Sequence, residues 1–271
     1  LLAACGGLLI LQLGLMRVFR AAPALQVASE GVLPETSLCI VIPAYNEVHN
    51  IGPCLSSVLG SEPPCRAWHV LVVDDESTDD TIVQAKLTAA ALGDQSARFD
   101  LLKAGSRPEG ERWVGKNWAC FRAMQQCSAE WVLFLDADVR LRPQALRRSL
   151  KQAIQDQADL LSLAPRLSCG CLAEWMVQPI MASLLGLGFP IEAANDPASD
   201  VAFAAGPFML FRRSAYEEIG GHFGMAAEVV EDLALARLIK QRGFRLRYLL
   251  GLDAVDLRMY VDLASLWEGW T

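Results

Sequence analysis

Five short apolar runs recur along the chain: LCIVI at 38–42, HVLVV at 69–73, FDLL at 99–102, WVLFL at 131–135 and DLLSL at 159–163. Each has strand length, and none shows the polar alternation of a strand with one wet face. Between them lie longer stretches with helical periodicity, near 47–60, 78–92, 115–127 and 143–157. Strands apolar on both faces and joined by helices predict an α/β fold, with a mostly parallel central sheet flanked by helices. Such sheets bind ligands beyond the carboxyl ends of their strands. Chemistry is therefore expected in the residues that follow each run. Further on come a polar loop (192–200), a strand-like AFAAGPFMLF (202–211) and a helix from Glu231 to Arg242, closed by Gly243.

Composition narrows the function classes. Of 271 residues, 53% are hydrophobic and 20% charged, which excludes intrinsic disorder. The formal charge of −7 excludes a nucleic-acid partner, because phosphate neutralisation needs clustered Lys and Arg. The mean hydropathy of +0.27 is high for a water-soluble domain, and part of the excess sits at the start. Leu1 to Met16 are apolar except for Gln12, Arg17 and Arg20 follow, and no acid appears before Glu30. A signal peptide carries its positive charges ahead of the apolar stretch, not after it. Sixteen helical residues span about 24 Å against a hydrocarbon core of roughly 30 Å. Residues 1–20 thus read as a truncated transmembrane or anchor helix, and 21–36 as a linker. The positive-inside rule then places the remainder at the cytoplasmic face of the cell membrane.

A second apolar stretch, LAEWMVQPIMASLLGLGFP at 172–190, has two readings. It is either a buried helix or a helix in the membrane interface, with Trp175 and Phe189 as anchors. The chain stops at LASLWEGWT, which predicts that residues 251–271 begin a region that continues further. The eight cysteines form no CxxC pair and fit a reduced protein; Cys169 and Cys171 have no second ligand pair to make a metal site.

Two runs end in carboxylates. HVLVV passes into Asp74-Asp75-Glu76-Ser77-Thr78-Asp79-Asp80, and WVLFL into Asp136-Ala137-Asp138. Acids this dense repel one another unless a cation or a donor-rich ligand lies among them. Ser77 or Asp79 can open the following helix as an N-cap, which leaves Asp75 and the Asp-x-Asp pair unexplained. Asp136 and Asp138 can reach a divalent cation together, and oxygen ligands select Mg²⁺ or Mn²⁺. A competing motif, Gly110-x₄-Gly115-Lys116, fits the start of a P-loop. It puts Asn117 where a Ser or Thr must hold Mg²⁺, and it starts about seven residues after its strand. The P-loop reading fails, and Lys116 near a helix start remains a phosphate contact.

IVIPAYNE (40–47), VVDDESTDDT (72–81), FLDAD (134–138) and VEDLALARLIKQRG (230–243) resemble, in order and spacing, the motifs of family 2 glycosyltransferases with the GT-A fold. The resemblance covers residues 38 to 247. PEGERWVGKNWA and AAGPFMLFRR look more specifically like the hopene-associated and carotenoid glycosyltransferase branch. The resemblance implies one catalytic domain over 37–250, with a nucleotide-sugar-binding half (37–140) and an acceptor half (141–250). It implies that Pro43, Ala44, Tyr45 and Glu47 line the base pocket and that Asp75 bonds the base. Lys116 would contact the diphosphate, Asp136 the ribose or sugar, and Asp138 the metal. Asp232 would be the catalytic base with Glu231 beside it, and Gly206 and Pro207 would shape the donor-sugar and acceptor region. His222 reads as a loop histidine, with contact to acceptor or phosphate as the alternative.

The expected activity is inverting, metal-dependent transfer of a sugar, from UDP by default, to a lipid acceptor such as a hopanoid or carotenoid. Processive members of the family carry a QxxRW motif after the ED helix. This chain has LWEGW at 266–270 instead, which favours transfer of a single sugar, with Trp267 and Trp270 flanking an apolar acceptor or the membrane. Transfer to a polyprenyl phosphate and a non-catalytic sugar-nucleotide-binding protein remain as alternatives.

Overall fold

The computed structural model describes residues 22–27 and 31–258. The anchor expected at 1–20, and Trp267 and Trp270, lie outside the described residues. Among those described, no helix is long and apolar enough to cross a membrane.

The strands are β1 (Ser37–Ala44), β2 (Ala67–Asp74), β3 (Phe99–Lys103), β4 (Trp131–Leu135), β5 (Val139–Leu141), β6 (Leu160–Ala164), β7 (Arg166–Leu167), β8 (Phe208–Arg212), β9 (Leu246–Leu250) and β10 (Val255–Leu257). Seven form the central sheet in the order β3-β2-β1-β4-β8-β6-β9; β5, β10 and β7 form a small second sheet. All five apolar runs are strands. Within the central sheet, pairing is parallel except at β8, which runs antiparallel to both β4 and β6.

The sheet has two buried faces because adjacent side chains point opposite ways. Leu38, Ile40 and Ile42 of β1 pack into one core cluster, while Cys39 and Val41 pack into the other. The helices are α1 (Ile51–Leu59), α2 (Thr81–Ala91), α3 (Asn117–Met124), α4 (Ala145–Gln155), α5 (Leu172–Gly188), α6 (Ile191–Asn195), α7 (Arg213–Glu218), α8 (Gly221–Gly224) and α9 (Glu231–Gln241). The first core holds buried residues of α1, α2 and α4; the second holds those of α3, α7 and α9.

Three local expectations change. AFAAGPFMLF is a strand only from Phe208: Pro207 has no N–H to give a ladder and restricts Gly206 before it. The loop at 192–200 begins inside helix α6. The linker is docked, with Leu25 N–H bonded to Leu250 O and Leu250 N–H to Pro23 O, both 2.9 Å. Buried Arg148 holds that segment by donating to the carbonyls of Leu25 and Gln26 at 2.8 Å.

Candidate active site

The carboxyl ends of β1, β2 and β4 open on one cleft of about 720 Å³. Pro43, Ala44, Tyr45, Glu47, Asp75, Lys116, Asp136 and Asp138 all line it, so the residues assigned to nucleotide sugar and metal converge, with Gly206 the exception.

The loops after β1 and β2 are stitched to each other. Asn46, at φ 55°, accepts the Thr78 N–H at 2.8 Å, while its own N–H reaches Ser77 Oγ at 3.0 Å. Glu47 N–H donates to Thr81 Oγ1 at 2.8 Å, and Val48 N–H to Asp79 Oδ2 at 3.2 Å. Asp79 Oδ1 accepts the Thr81 N–H that opens α2. The N-cap position is Asp80, which makes no side-chain cap bond, so neither expected residue fills it; Asp79 and Ser77 tie the loops together instead.

Asp75 is left free of that work. Arg107 Nη2 donates to its Oδ2 at 2.6 Å, and its Oδ1 is buried without a partner. Burial raises the Asp75 carboxyl above its ordinary range, against the pull of Arg107. Arg107 lies in the loop after β3, and the sequence offered no signal that would have singled it out from the other arginines.

At the end of β4 the acids are more confined. Burial and the neighbouring carboxylates of Asp136 and Glu47 push Asp138 up to about 7, and its Oδ1 is buried and unpartnered. Glu47 is raised by burial too, and then by Asp136. A carboxyl held this way gains from a nearby cation, so the donor set fits a hard divalent ion bound by one or two carboxylates and completed by phosphate oxygens. Among the described residues, no three His, Cys, Asp or Glu side chains gather into a self-sufficient metal cage. The turn itself is braced by Arg140, which donates to the carbonyls of Ala137 (3.1 Å) and Val139 (2.8 Å) and to Asn50 Oδ1 (3.1 Å).

Lys116 precedes α3 and reaches across the cleft floor. Its ammonium lies 2.5 Å from Asp136 Oδ1 and 3.2 Å from Glu231 Oε1. Burial opposes its charge, but the two carboxylates outweigh burial and raise its pKa. This is a link the sequence did not show: Lys116 joins the donor-side carboxylates to the Glu-Asp pair opening α9. Asn117 makes a second link. Its buried amide donates to the carbonyls of Met225 (2.8 Å), Glu228 (3.0 Å) and Ala226 (3.4 Å), fixing the segment that delivers Glu231 and Asp232.

Gly206 and Asp232 are not among the residues lining the cleft but sit against its floor. Asp232 Oδ2 accepts the Gly206 N–H at 2.9 Å, and Asp136 N–H donates to Pro207 O at 3.2 Å. A Cβ on Gly206 would stand 3.0 Å from Asp232 Oδ2, so glycine permits that approach. Burial, then the charge of Glu231, raises the Asp232 carboxyl. His222 belongs elsewhere: it is buried, with Nδ1 2.7 Å from Tyr216 OH and its ring edge-on to Phe134. Burial lowers it to about 3, so it is a neutral core histidine.

The family 2 profile, Glycosyl transferase family 2, matches residues 39–220. The chain belongs to that family. A curated relative, 4,4'-diaponeurosporenoate glycosyltransferase of Staphylococcus aureus (strain MRSA252), is 29% identical over 238 residues, covering 87% of this chain and 60% of its own length. The chain thus spans about three-fifths of the curated relatives it matches. Among solved structures, the mannosyltransferase PcManGT from Pyrobaculum calidifontis, in complex with GDP-Man and Mn²⁺, aligns with TM-score 0.62 at 20% identity, over 93% of this chain and 65% of that one. S. aureus TarS with UDP-GlcNAc aligns at 0.55 and 17%, over 85% and 60%. These likenesses establish the GT-A fold.

Proposed function

We infer that this protein is an inverting glycosyltransferase that moves a sugar from a nucleotide-sugar donor to an apolar lipid-type acceptor. The observation that carries the reading is the meeting of two groups of residues: a donor wall of Asp75, Asp136, Asp138 and Lys116, and a half-buried carboxylate, Asp232, oriented by the Gly206 N–H.

The free Oδ1 of Asp75 is an acceptor aimed at a base N–H, and the imide N–H of uracil supports UDP as the donor nucleotide. Asp138, with Asp136, would hold Mg²⁺ or Mn²⁺, which supplies charge neutralisation on the diphosphate when bound. Lys116 adds a second positive charge on that side. Asp232 takes the proton of the acceptor hydroxyl. The acceptor oxygen forms its bond to the anomeric carbon as the carbon–phosphate oxygen bond breaks, and the electron pair leaves with the diphosphate. One displacement inverts the centre.

The curated relative is named for 4,4'-diaponeurosporenoate, which supports a carotenoid or hopanoid class of acceptor. Helix α5 supports work at a membrane surface, since Leu172, Trp175, Met176 and Ile180 are exposed. Together with the apolar residues 1–16, this favours a protein held at the cytoplasmic face of the cell membrane.

The deciding experiment incubates the purified chain with UDP-glucose, Mn²⁺ and lipid extracts, and reads hexose-mass additions by mass spectrometry. A hexose added to one neutral lipid supports the reading, and addition to a polyprenyl phosphate redirects it. Donor binding without transfer or hydrolysis leaves a binding protein.

A further inference from the structure

Helix α5 is built with reversed polarity. Leu172, Met176, Ile180 and Leu184, four residues apart, form one row on its exposed side, and Trp175 beside them is 66% exposed. The opposite side holds Glu174 and Gln178, both buried, each with Oε1 lacking a hydrogen-bond partner. Glu174 does have work to do: its other oxygen accepts the N–H groups of Gly170 (2.6 Å) and Cys171 (3.0 Å) at the helix start. A helix packed for water puts its apolar stripe inward. This one turns the stripe outward, and a contiguous exposed apolar row marks a binding surface.

Beyond the row, aromatic contacts lead from the end of α5 toward Asp232. At the end of α5, Phe189 stacks on Phe203 with ring centroids 4.7 Å apart. Phe203 in turn meets Tyr248 edge-on at 5.1 Å. Along the chain the path is equally short. Phe203 is three residues from Gly206, whose N–H holds Asp232, and three residues span at most about 10 Å. That stretch is pinned from both sides, since Ser162 Oγ donates to Ala205 O (3.1 Å) and accepts its N–H (2.8 Å).

We propose that the apolar tail of the acceptor lies over Phe203 and Phe189 and runs out along the exposed row of α5, which places its polar end at Asp232. The occupant is an amphiphile with one hydroxyl or carboxyl terminus and an extended hydrocarbon or polyene body. Two observations select it over a protein partner: Phe203 is three residues from the glycine whose N–H holds Asp232, and the inner end of the path is aromatic. Aromatic faces stack well on a planar polyene. The proposal rests on the transferase reading above and adds where the acceptor lies.

The test compares acceptors that differ only in tail, with the full chain in detergent. Retinol and retinoic acid serve as long probes, and sorbyl alcohol and sorbic acid as short ones, with UDP-glucose and Mn²⁺. Phe203→Ser, and separately the surface double variant Met176→Ser/Leu184→Ser, should raise KM for the long probes at least tenfold. In the double variant KM for the short probes, and in both variants the affinity for UDP, should stay within about twofold. The double variant alters only exposed positions, so a folding defect in Phe203→Ser does not spoil the test. Unchanged KM for the long probes, or equal losses for long and short ones in the double variant, overturns the proposal. Retinoid quenching of Trp175 fluorescence, with Trp175→Phe as the blank, needs no turnover. A chain that transfers nothing yet shows quenching that Phe203→Ser abolishes would end the transferase reading and leave the tail path standing. Transfer without such quenching would do the reverse.

Discussion

The two sides of the site are held by different forces. On the proposed donor side two carboxylates are paired with cations, Asp75 with Arg107 and Asp136 with Lys116, while Asp138 sits in the turn that Arg140 braces, its Oδ1 without a partner. On the proposed acceptor side the contacts are aromatic, from Phe189 at the end of α5 through Phe203 to Tyr248. A donor carrying a diphosphate needs fixed charge, and charge is worth most where water is excluded. A greasy acceptor needs area, which is non-directional. Lys116 and Gly206-Pro207 are where the two regimes meet.

That contrast is open to attack in order of expected effect. Asp232→Asn removes the proton acceptor and keeps the shape, so kcat should fall by roughly 10²- to 10⁴-fold while UDP affinity, measured by calorimetry, stays put. Equal losses in both would mean that Asp232 belongs to the donor side. Asp138→Ala should do the opposite, weakening donor binding in Mn²⁺ and lowering kcat/KM by about 10²- to 10³-fold; activity that survives both this change and EDTA would remove the metal from the reading.

Asn117→Asp keeps the volume but replaces three N–H contacts with a carboxylate facing carbonyls. It should cost on the order of 1–3 kcal/mol of stability and lower kcat more than it raises the KM for the donor. Thermal melts and steady-state kinetics read the two effects, and Asn117→Ala should hurt less than Asp. Because Asp232 must be ionised to act and its pKa is raised, the acid limb of kcat/KM should lie above the ordinary aspartate value of 3.8. Activity then declines as pH falls through that raised value. A limb at or below 3.8 would place the ionising group elsewhere.

The smallest effect concerns His222. The folded state keeps it neutral down to about 3, whereas the unfolded chain protonates it near 6.5. The unfolded state therefore binds more protons between those values, and stability should fall as pH drops below about 6.5. Tyr216→Phe should cost about 1–3 kcal/mol by stranding the His222 N–H, with kcat unchanged. A large loss of kcat would bring His222 back into the site.

How much of this was legible beforehand varies by element. β1, β2 and β4 were plain because a strand buried on both faces must be apolar throughout, and their terminal carboxylates followed directly from the chain. Arg107, Arg140 and Asn117 were not legible, because an arginine or asparagine in a loop looks the same whether it faces solvent or braces a catalytic turn. Helix α5 was legible as apolar but not as reversed: its content suits a core as well as a surface, and only Glu174 at 0% exposure beside Trp175 at 66% separates the two.

By itself, then, the order of residues determined the α/β architecture, the family, and the acids at strand ends, since periodicity and local spacing are properties of the chain. Only the tertiary structure decided that Lys116 spans from Asp136 to Glu231 and that Gly206 holds Asp232. Those contacts join residues 20 to 115 positions apart, and no local pattern encodes a distance that folding alone closes.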